Sequence, residues 1–156
     1  MRIGIFVGSL GGASGLKGQV DQIVSAEEDG FDSFWLAQIL GADALTLIAL
    51  AGARTRRIDF GTAVVPTFPR HPLALAQQAL TAQAAGGGRL TLGIGLSHKP
   101  TVEGRMGLKF ERPARHMEEY LAVLKALVTE GVVDFTGEIF NVRAAIQVPG
   151  ATAFPI

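Results

Sequence analysis

Short apolar runs alternate along the chain with longer stretches in which apolar residues recur every three or four positions. Continuous apolar runs are typical of strands buried on both faces, and the longer spacing is typical of helices with one buried side. The pattern predicts strands at residues 3–7, 33–36, 58–65 and 89–94. It predicts a helix after each strand, at about 20–28, 42–53, 72–84 and 113–129. A strand and a helix therefore alternate four times.

This alternation predicts the α/β fold class with parallel strands. Successive strands start about 25 to 32 residues apart, which leaves room for the crossover helix that parallel strands require. Two architectures fit the spacing, an open doubly wound sheet and part of a (β/α)8 barrel. We expect residues 1–156 to form a single domain.

The last part of the chain departs from the repeat. Residues 132–140 predict a small β-hairpin that turns near Thr136 and Gly137. The proline-containing segments 148–150 and 154–156 are expected to be extended connectors. The sequence ends where a fifth strand is expected to begin, so four units alone would leave two strand edges unpaired.

Composition narrows the classes of partner. The 14 basic residues balance the 14 acidic residues, which argues against a nucleic-acid or anionic-membrane surface. The chain has no cysteine, so it uses no thiolate chemistry and is compatible with a reducing cytoplasm. The N-terminal sequence lacks a signal-peptide pattern, and no apolar run reaches the roughly 18 residues of a membrane span.

The sequence contains no recognisable metal or hydrolase motif. His98 and His116 lie on different predicted elements and no H-x-x-x-H spacing occurs, so we expect no metal site. Ser9 and Ser97 lack the G-x-S-x-G context of a nucleophilic serine. Three interpretations remain open for His98: a proton donor, a cofactor contact or a solvated loop residue.

The carboxyl ends of the strands are the expected place for a ligand, because both candidate architectures bind ligands there. The segments expected to meet at that edge are 8–10, 37–38, 64–67 and 95–98. Gly93 and Gly95 interrupt the strand pattern, either because a flat ring or a phosphate approaches the backbone or because the strand packs tightly. The glycine-rich loops match neither the dinucleotide-binding nor the P-loop motif. Gln38 follows a buried strand and is a candidate ligand contact.

The second predicted helix is apolar on nearly all sides, over Ala42–Ala53. A helix of that kind is buried. In a single barrel the outer side of the helix would face water, so a subunit interface is one explanation and burial within the chain is the other.

Several motifs together resemble the bacterial luciferase-like monooxygenase superfamily. The central stretch, Gly61 to His98, is GTAVVPTFPRHPLALAQQALTAQAAGGGRLTLGIGLSH. It is preceded by AEEDGFDSFWLAQ and followed by RPARHMEEYLAVLKAL and VDFTGEIF. The resemblance covers Met1 to about Val148. The stretch GIGLSHKPTVEGRMGLKFERPARH is most similar to the oxidoreductases that use the deazaflavin coenzyme F420.

The resemblance implies the first half of a (β/α)8 barrel with F420, or alternatively FMN, in the mouth at the strand ends. It implies a non-proline cis peptide at Ala63–Val64 and a homodimer built partly on the second helix. The residues that it places against the cofactor are Ser9, Ala63, Val64, Val65, Thr67, Gly95, Leu96 and Ser97.

The resemblance also implies hydride transfer between the cofactor and a small organic substrate. Several F420 enzymes carry a glutamate where this chain has His98, and a histidine or an acidic residue where it has Gln38. His98 is therefore the candidate proton relay, because an imidazole titrates near neutral pH. Gln38 is expected to hydrogen-bond the ring or the substrate.

Three alternatives to F420-dependent hydride transfer follow from the same sequence. The first is an FMN-dependent monooxygenase. The second is a half-barrel fragment without activity, and the third is an unrelated open α/β binding domain. In the family, part of the phosphate and ring contacts comes from the second half of the barrel, which this sequence does not contain.

Overall fold

The computed structural model describes residues 1–8 and 15–156. Its strands are β1 (Gly4–Val7), β2 (Ser33–Leu36), β3 (Asp59–Thr62), β4 (Val65–Pro66), β5 (Leu90–Thr91), β6 (Ile94–Gly95), β7 (Val132–Thr136) and β8 (Asn141–Ala145). Its helices are α1 (Gly15–Glu28), α2 (Ala44–Gly52), α3 (Pro72–Ala85), α4 (Lys99–Gly104) and α5 (Pro113–Thr129). The predicted alternation of strands and helices is confirmed.

The main sheet is parallel, with the strand order β1-β2-β3-β5. Its register aligns Ile5, Phe34, Phe60 and Leu90 across the four strands. Because side chains alternate along a strand, these four lie on one face of the sheet. Phe34, Phe60 and Leu90 are at most 3% exposed, so this face forms the core.

The third and fourth predicted strands are each interrupted, which corrects the prediction of continuous strands at 58–65 and 89–94. The short strands β4 and β6 pair with each other beyond the interruption. Between the two ladders, the hydroxyl of Thr62 donates to the Gly93 carbonyl at 2.8 Å and accepts from the Gly93 N–H at 2.9 Å. A side chain thus replaces the backbone bonds that a continuous ladder would have supplied.

Helix α2 owes its apolar composition largely to burial within the chain. It packs against both α1 and α3. Its residues Leu45, Leu47, Ile48 and Ala51 are at most 2% exposed. Asp43 caps the helix by accepting from the Thr46 N–H at 2.8 Å, as N-cap carboxylates do. Leu50 is its exposed large apolar side chain.

Arg89 joins the end of α2 to the start of β5. Its guanidinium donates to the carbonyl oxygens of Gly52, Thr55, Ile58 and Gly86 at 2.7–3.2 Å. The same group lies 5.0 Å from the centre of the Phe60 ring. Burial lowers the pKa of Arg89, opposed by the charge of Glu27. The arginine that follows Gly87 and Gly88 therefore has a structural role.

The hairpin formed by β7 and β8 turns after Thr136, as predicted, but its second strand runs from Asn141 to Ala145 and not through 138–140. Residues 138–140 are occupied by another contact. The Glu119 carboxylate of α5 accepts from the N–H groups of Glu138, Ile139 and Phe140, each at 2.9 Å. This contact fixes the hairpin turn to α5.

The free edge of β5 is partly covered, contrary to the expectation of a bare edge there. The Leu92 N–H donates to the Pro155 carbonyl at 2.9 Å. Phe154, the preceding residue, is 7% exposed and joins the core.

Candidate active site

A cleft of about 390 Å³ opens at the carboxyl ends of β2, β4 and β6. This volume lies in the range of about 300–1,000 Å³ that is usual for small-molecule sites. The lining residues come from the segments that follow β2, β3 and β6, from β4, and from α4 with the two residues after it. They are Ala37, Gln38, Ile39, Leu40, Ala63, Val64, Pro66, Ser97, His98, Thr101, Arg105 and Met106. The cleft is therefore at the place where both parallel architectures bind ligands.

Val64 forms an apolar wall of the cleft. Its side chain is 41% exposed, although the next residue, Val65, is fully buried. The Ala63–Val64 peptide bond is cis, as the resemblance implied. A Cβ atom on Gly95 would lie 2.6 Å from Cγ2 of Val64. Gly95 therefore leaves space for this wall, and Gly93 is likewise packed against Thr62, so tight packing explains both glycines.

Gln38 has one half of its side-chain amide fixed. Its Oε1 accepts from the Ala44 N–H at 2.8 Å, at the first turn of α2, where a helix leaves N–H groups unpaired. The amide oxygen is used in this bond, so the polar group that remains for a ligand is the NH2 donor. Gln38 thus lines the cleft as a hydrogen-bond donor.

Ser97 and His98 also line the cleft. Ser97 has a φ of 64°, in the left-handed region that few residues other than glycine adopt. His98 is the N-cap residue of α4, but its side chain makes no capping bond. Its carbonyl accepts from the N–H groups of Thr101 and Val102, both at 2.9 Å. The backbone of His98 is therefore held by the helix while its exposed imidazole is left for another partner.

The structure brings together five of the residues predicted for the site: Gln38, Ala63, Val64, Ser97 and His98. It does not place Val65, Thr67, Gly95 or Leu96 on the lining of the cleft. Val65 and Thr67 are fully buried, and Gly95 and Leu96 are half-buried. Ser9 lies outside the described residues.

Thr67 contacts a histidine and not the cleft. Its hydroxyl lies 3.1 Å from Nε2 of His116, on α5. The His116 ring stacks on Phe68 at 4.1 Å between centres and 5° between planes. Burial lowers the pKa of His116, against the opposing charge of Glu119. His116 is therefore a neutral, packed side chain at neutral pH, as expected for a structural residue.

Sequence reasoning missed the helix α4 and the side chains that this segment brings to the cleft, which are Thr101 of the helix and Arg105 and Met106 directly after it. A signal was available. Pro100 lies in the first turn of the helix, where proline is favoured, and Gly107 lies shortly after its end with a φ of 65°.

The described part of the chain contains neither a cluster of metal-binding side chains nor a helix that could span a membrane. Across residues 1–8 and 15–156, no three His, Asp or Glu side chains are grouped closely enough to hold a metal ion. Within the same ranges, none of the helices has the length and apolar character needed to cross a membrane.

The sequence model of the luciferase-like monooxygenase family matches residues 1–156, so the chain belongs to this family. A curated relative, a putative coenzyme F420-dependent oxidoreductase of Mycobacterium tuberculosis, is 35% identical over 125 residues. That match covers 80% of this chain and 36% of the relative. The chain thus spans only about a third of the length of this relative.

Solved structures share the fold of this chain over about half of their own length. The monooxygenase RslO1 of Streptomyces bottropensis matches 99% of this chain and 52% of its own, with a TM-score of 0.84 and 23% identity. The oxygenating constituent of 3,6-diketocamphane monooxygenase of Pseudomonas putida, solved with FMN, matches 99% of this chain and 48% of its own. Its TM-score is 0.80 at 18% identity. The prediction of a parallel α/β chain equivalent to about half of a luciferase-like barrel enzyme is confirmed.

Proposed function

We propose that the protein containing this chain is an F420-dependent oxidoreductase that transfers hydride between the deazaflavin and a small organic substrate. The observation that carries the proposal is the chemistry of the cleft, in which the exposed apolar side chain of Val64 lines the same space as several hydrogen-bond donors. A tricyclic ring with an apolar face and polar edges requires such a surface. The 35% identity to a putative F420-dependent oxidoreductase supports the choice of cofactor.

The residues of the cleft fit a deazaflavin or flavin ring. Val64 and Ala63 would contact the face of the ring, and the Gln38 NH2 group and the Ser97 hydroxyl would donate to the acceptors at its edge. When bound, the cofactor supplies the hydride chemistry, and the protein supplies position and shelter from water. Val64 directly precedes β4 and Ser97 follows shortly after β6, so the pairing of these two strands fixes the positions of both residues in the cleft.

His98 would hold or release a proton at its imidazole as the substrate gains or loses hydride. Its ring is exposed on the rim of the cleft and is not used to cap α4. Changing His98 to Ala should lower turnover about a hundredfold, in the usual range for general acid–base groups, and should change cofactor affinity much less. Equal turnover in the variant and the parent protein would exclude this role.

FMN is the second candidate cofactor, with oxygen-dependent chemistry in place of hydride exchange. The fold match to a monooxygenase solved with FMN is the observation in its favour. Parallel fluorescence titrations with F420 and with FMN test both proposals. Saturable micromolar binding of one cofactor selects it, and binding of neither to the protein contradicts both.

We also propose that the protein forms a homodimer through the exposed side of the segment Ala42–Ala53. The exposed positions of this side are Thr46, Leu50 and Ala53, spaced three and four residues apart along the helix. Leu50 is 42% exposed. The buried side of the helix faces α1 and α3, so only this narrow stripe is available to a partner.

A further inference from the structure

Arg105 lines the cleft, and among the described residues it has no counterion. Most basic side chains in the described ranges form ion pairs or donate to carbonyl oxygens, including Arg70 with Asp43 at 2.5 Å. Of residues 1–8 and 15–156, the basic side chains with neither kind of contact are Arg56, Arg105 and Lys125. Only Arg105 among these three lines the cleft.

In the part of the chain that the structure describes, no aspartate or glutamate lines the cleft to balance this charge. The acidic residue of α4, Glu103, contacts groups other than Arg105. It lies 3.9 Å from Nζ of Lys99 and accepts from the Phe110 N–H at 3.4 Å. The cleft therefore offers one permanent positive charge together with the neutral donors of Gln38, Ser97 and Thr101.

The backbone that carries Arg105 is held in place. The N–H groups of Arg105 and Met106 donate to the Thr101 carbonyl at 3.1 and 3.2 Å. The Leu108 N–H donates to the Val102 carbonyl at 3.1 Å, and the Val102 side chain is fully buried. The backbone position of Arg105 is thus fixed, while its side chain remains exposed and accessible to a ligand.

We propose that Arg105 binds an anionic oxygen group, a phosphate or a carboxylate, of the ligand that occupies the cleft. A guanidinium binds such groups through two parallel hydrogen bonds, and the bond is strengthened by charge. The inference rests on the proposed function, because it assigns a specificity residue to the same cleft. The anion belongs either to the cofactor tail or to the substrate.

The test compares Arg105→Gln with the control Arg56→Gln, an equally unpaired and exposed arginine away from the cleft. Dissociation constants are measured for FMN against riboflavin, and for F420 against its chromophore without the phosphate-bearing tail. If the anion belongs to the cofactor, Arg105→Gln weakens binding of the phosphate-bearing ligand about tenfold and leaves the phosphate-free ligand unchanged. The difference in affinity between the phosphate-bearing and the phosphate-free ligand should also decrease as the salt concentration rises.

A second arm tests the substrate as the source. The cofactor-loaded protein is titrated with glycerol phosphate and with acetate, and the cofactor absorbance is recorded. If the anion belongs to the substrate, the parent protein and Arg56→Gln show a saturable change in absorbance. In Arg105→Gln the dissociation constant of the anion is about tenfold higher, while the dissociation constants of the cofactor are the same in all three proteins.

The outcomes separate the two proposals. If the parent protein binds a cofactor and Arg105→Gln behaves as Arg56→Gln in both arms, the role of Arg105 is wrong and the proposed function stands. If the parent protein binds none of the four chromophores, the proposed function is wrong and the role of Arg105 is overturned with it. Circular dichroism of each variant confirms that the comparison is made between folded proteins.

Discussion

The carbonyl oxygen of Thr62 occupies the space that a Cβ atom on Gly93 would need. The hydroxyl of the same threonine bonds both backbone groups of Gly93, at 2.8 and 2.9 Å. The two strand segments are therefore locked together at one residue pair, next to the wall of the cleft. Any side chain at position 93 would force this junction apart.

Replacing Gly93 with Ala should lower the free energy of unfolding by about 1–3 kcal/mol, the usual cost of overpacking. The obstacle is backbone, so a rotamer change cannot relieve it. Chemical denaturation of the parent protein and the variant measures the loss. The matched control is Gly41→Ala, because a Cβ atom there meets nothing within 4 Å. An unchanged midpoint for Gly93→Ala would contradict the tight packing.

Replacing Gly95 with Ala should lower the affinity for the cofactor, with a smaller effect on the free energy of unfolding. The new methyl group would lie 2.6 Å from Cγ2 of Val64 and would push that side chain into the cleft. We expect about a tenfold rise in the dissociation constant of the cofactor, measured by fluorescence titration. The double variant Gly95→Ala with Val64→Ala should recover part of this loss, since the obstructing methyl groups are then absent. Additive losses in the double variant would argue against the mechanism.

Replacing Glu119 with Gln should release the hairpin turn from α5. An amide has one acceptor oxygen and places an NH2 group where a backbone N–H must be accepted. Hydrogen exchange at Glu138, Ile139 and Phe140 should become about tenfold faster, measured by NMR. The control is Glu118→Gln, a neighbouring exposed carboxylate that bonds only Arg115. Faster exchange in both variants would point to a general loosening of α5.

Acid should destabilise the protein through His116 before it acts on the carboxylates. The pKa of His116 is lowered by burial from its ordinary value of 6.5, so the unfolded state takes up the proton first. The contribution of neutral His116 to the free energy of unfolding is therefore complete above pH 6.5, and it falls as the pH decreases from there toward the lowered pKa.

The carboxylate of Glu119 acts in a lower pH range. Burial tends to raise the pKa of Glu119, but the hydrogen bonds from three backbone N–H groups outweigh burial and lower this pKa below 4.5. Its contribution is lost at more acidic pH.

The variant His116→Phe keeps a ring on Phe68 and removes the titrating group. Its free energy of unfolding should fall less steeply between pH 6.5 and 5 than that of the parent protein. The difference in slope has an upper limit of about 1.4 kcal/mol per pH unit, corresponding to one proton. Urea unfolding at a series of pH values measures it. Identical slopes would show that His116 gains its proton equally in both states.

Changing Leu50 to Asp should convert the proposed dimer to a monomer. The side chain is exposed within one chain, so the change should cost little stability in the monomer, within about 0.5 kcal/mol. Light scattering of the parent protein and the variant gives the masses. A parent protein that is monomeric, or a variant that remains dimeric, would remove this surface from consideration.

The order of the elements was predictable because each buried strand and each amphipathic helix is visible in the spacing of its own residues. The interruption of the third and fourth strands was not, since it depends on the contact between Thr62 and Gly93, which are 31 residues apart. The placement of Thr67 failed for the same reason. Its partner His116 lies 49 residues away, and no local pattern indicates that a helix side chain will cover it.

The site was predictable where it follows the ends of long apolar strands, as at Gln38, Val64 and Ser97. Helix α4 is only six residues long and buries one side chain, Val102, so it has too few turns to show a period. Arg105 directly follows that helix as its C-cap residue and was missed with it. The cis bond at Ala63–Val64 was expected from family resemblance and not from any spacing of residues.

Trp35 lies flat against Gly61, where no Cβ atom would fit, and its indole N–H donates to the Ser33 hydroxyl at 3.1 Å. It is the only tryptophan in the chain, and its strand leads directly into Ala37 and Gln38 at the cleft. The ultraviolet emission that tryptophan gives therefore has one origin, in one fixed orientation, beside the site. A deazaflavin or flavin absorbs at such wavelengths, so its arrival would quench this emission by energy transfer, and the protein would report its own occupancy without a label.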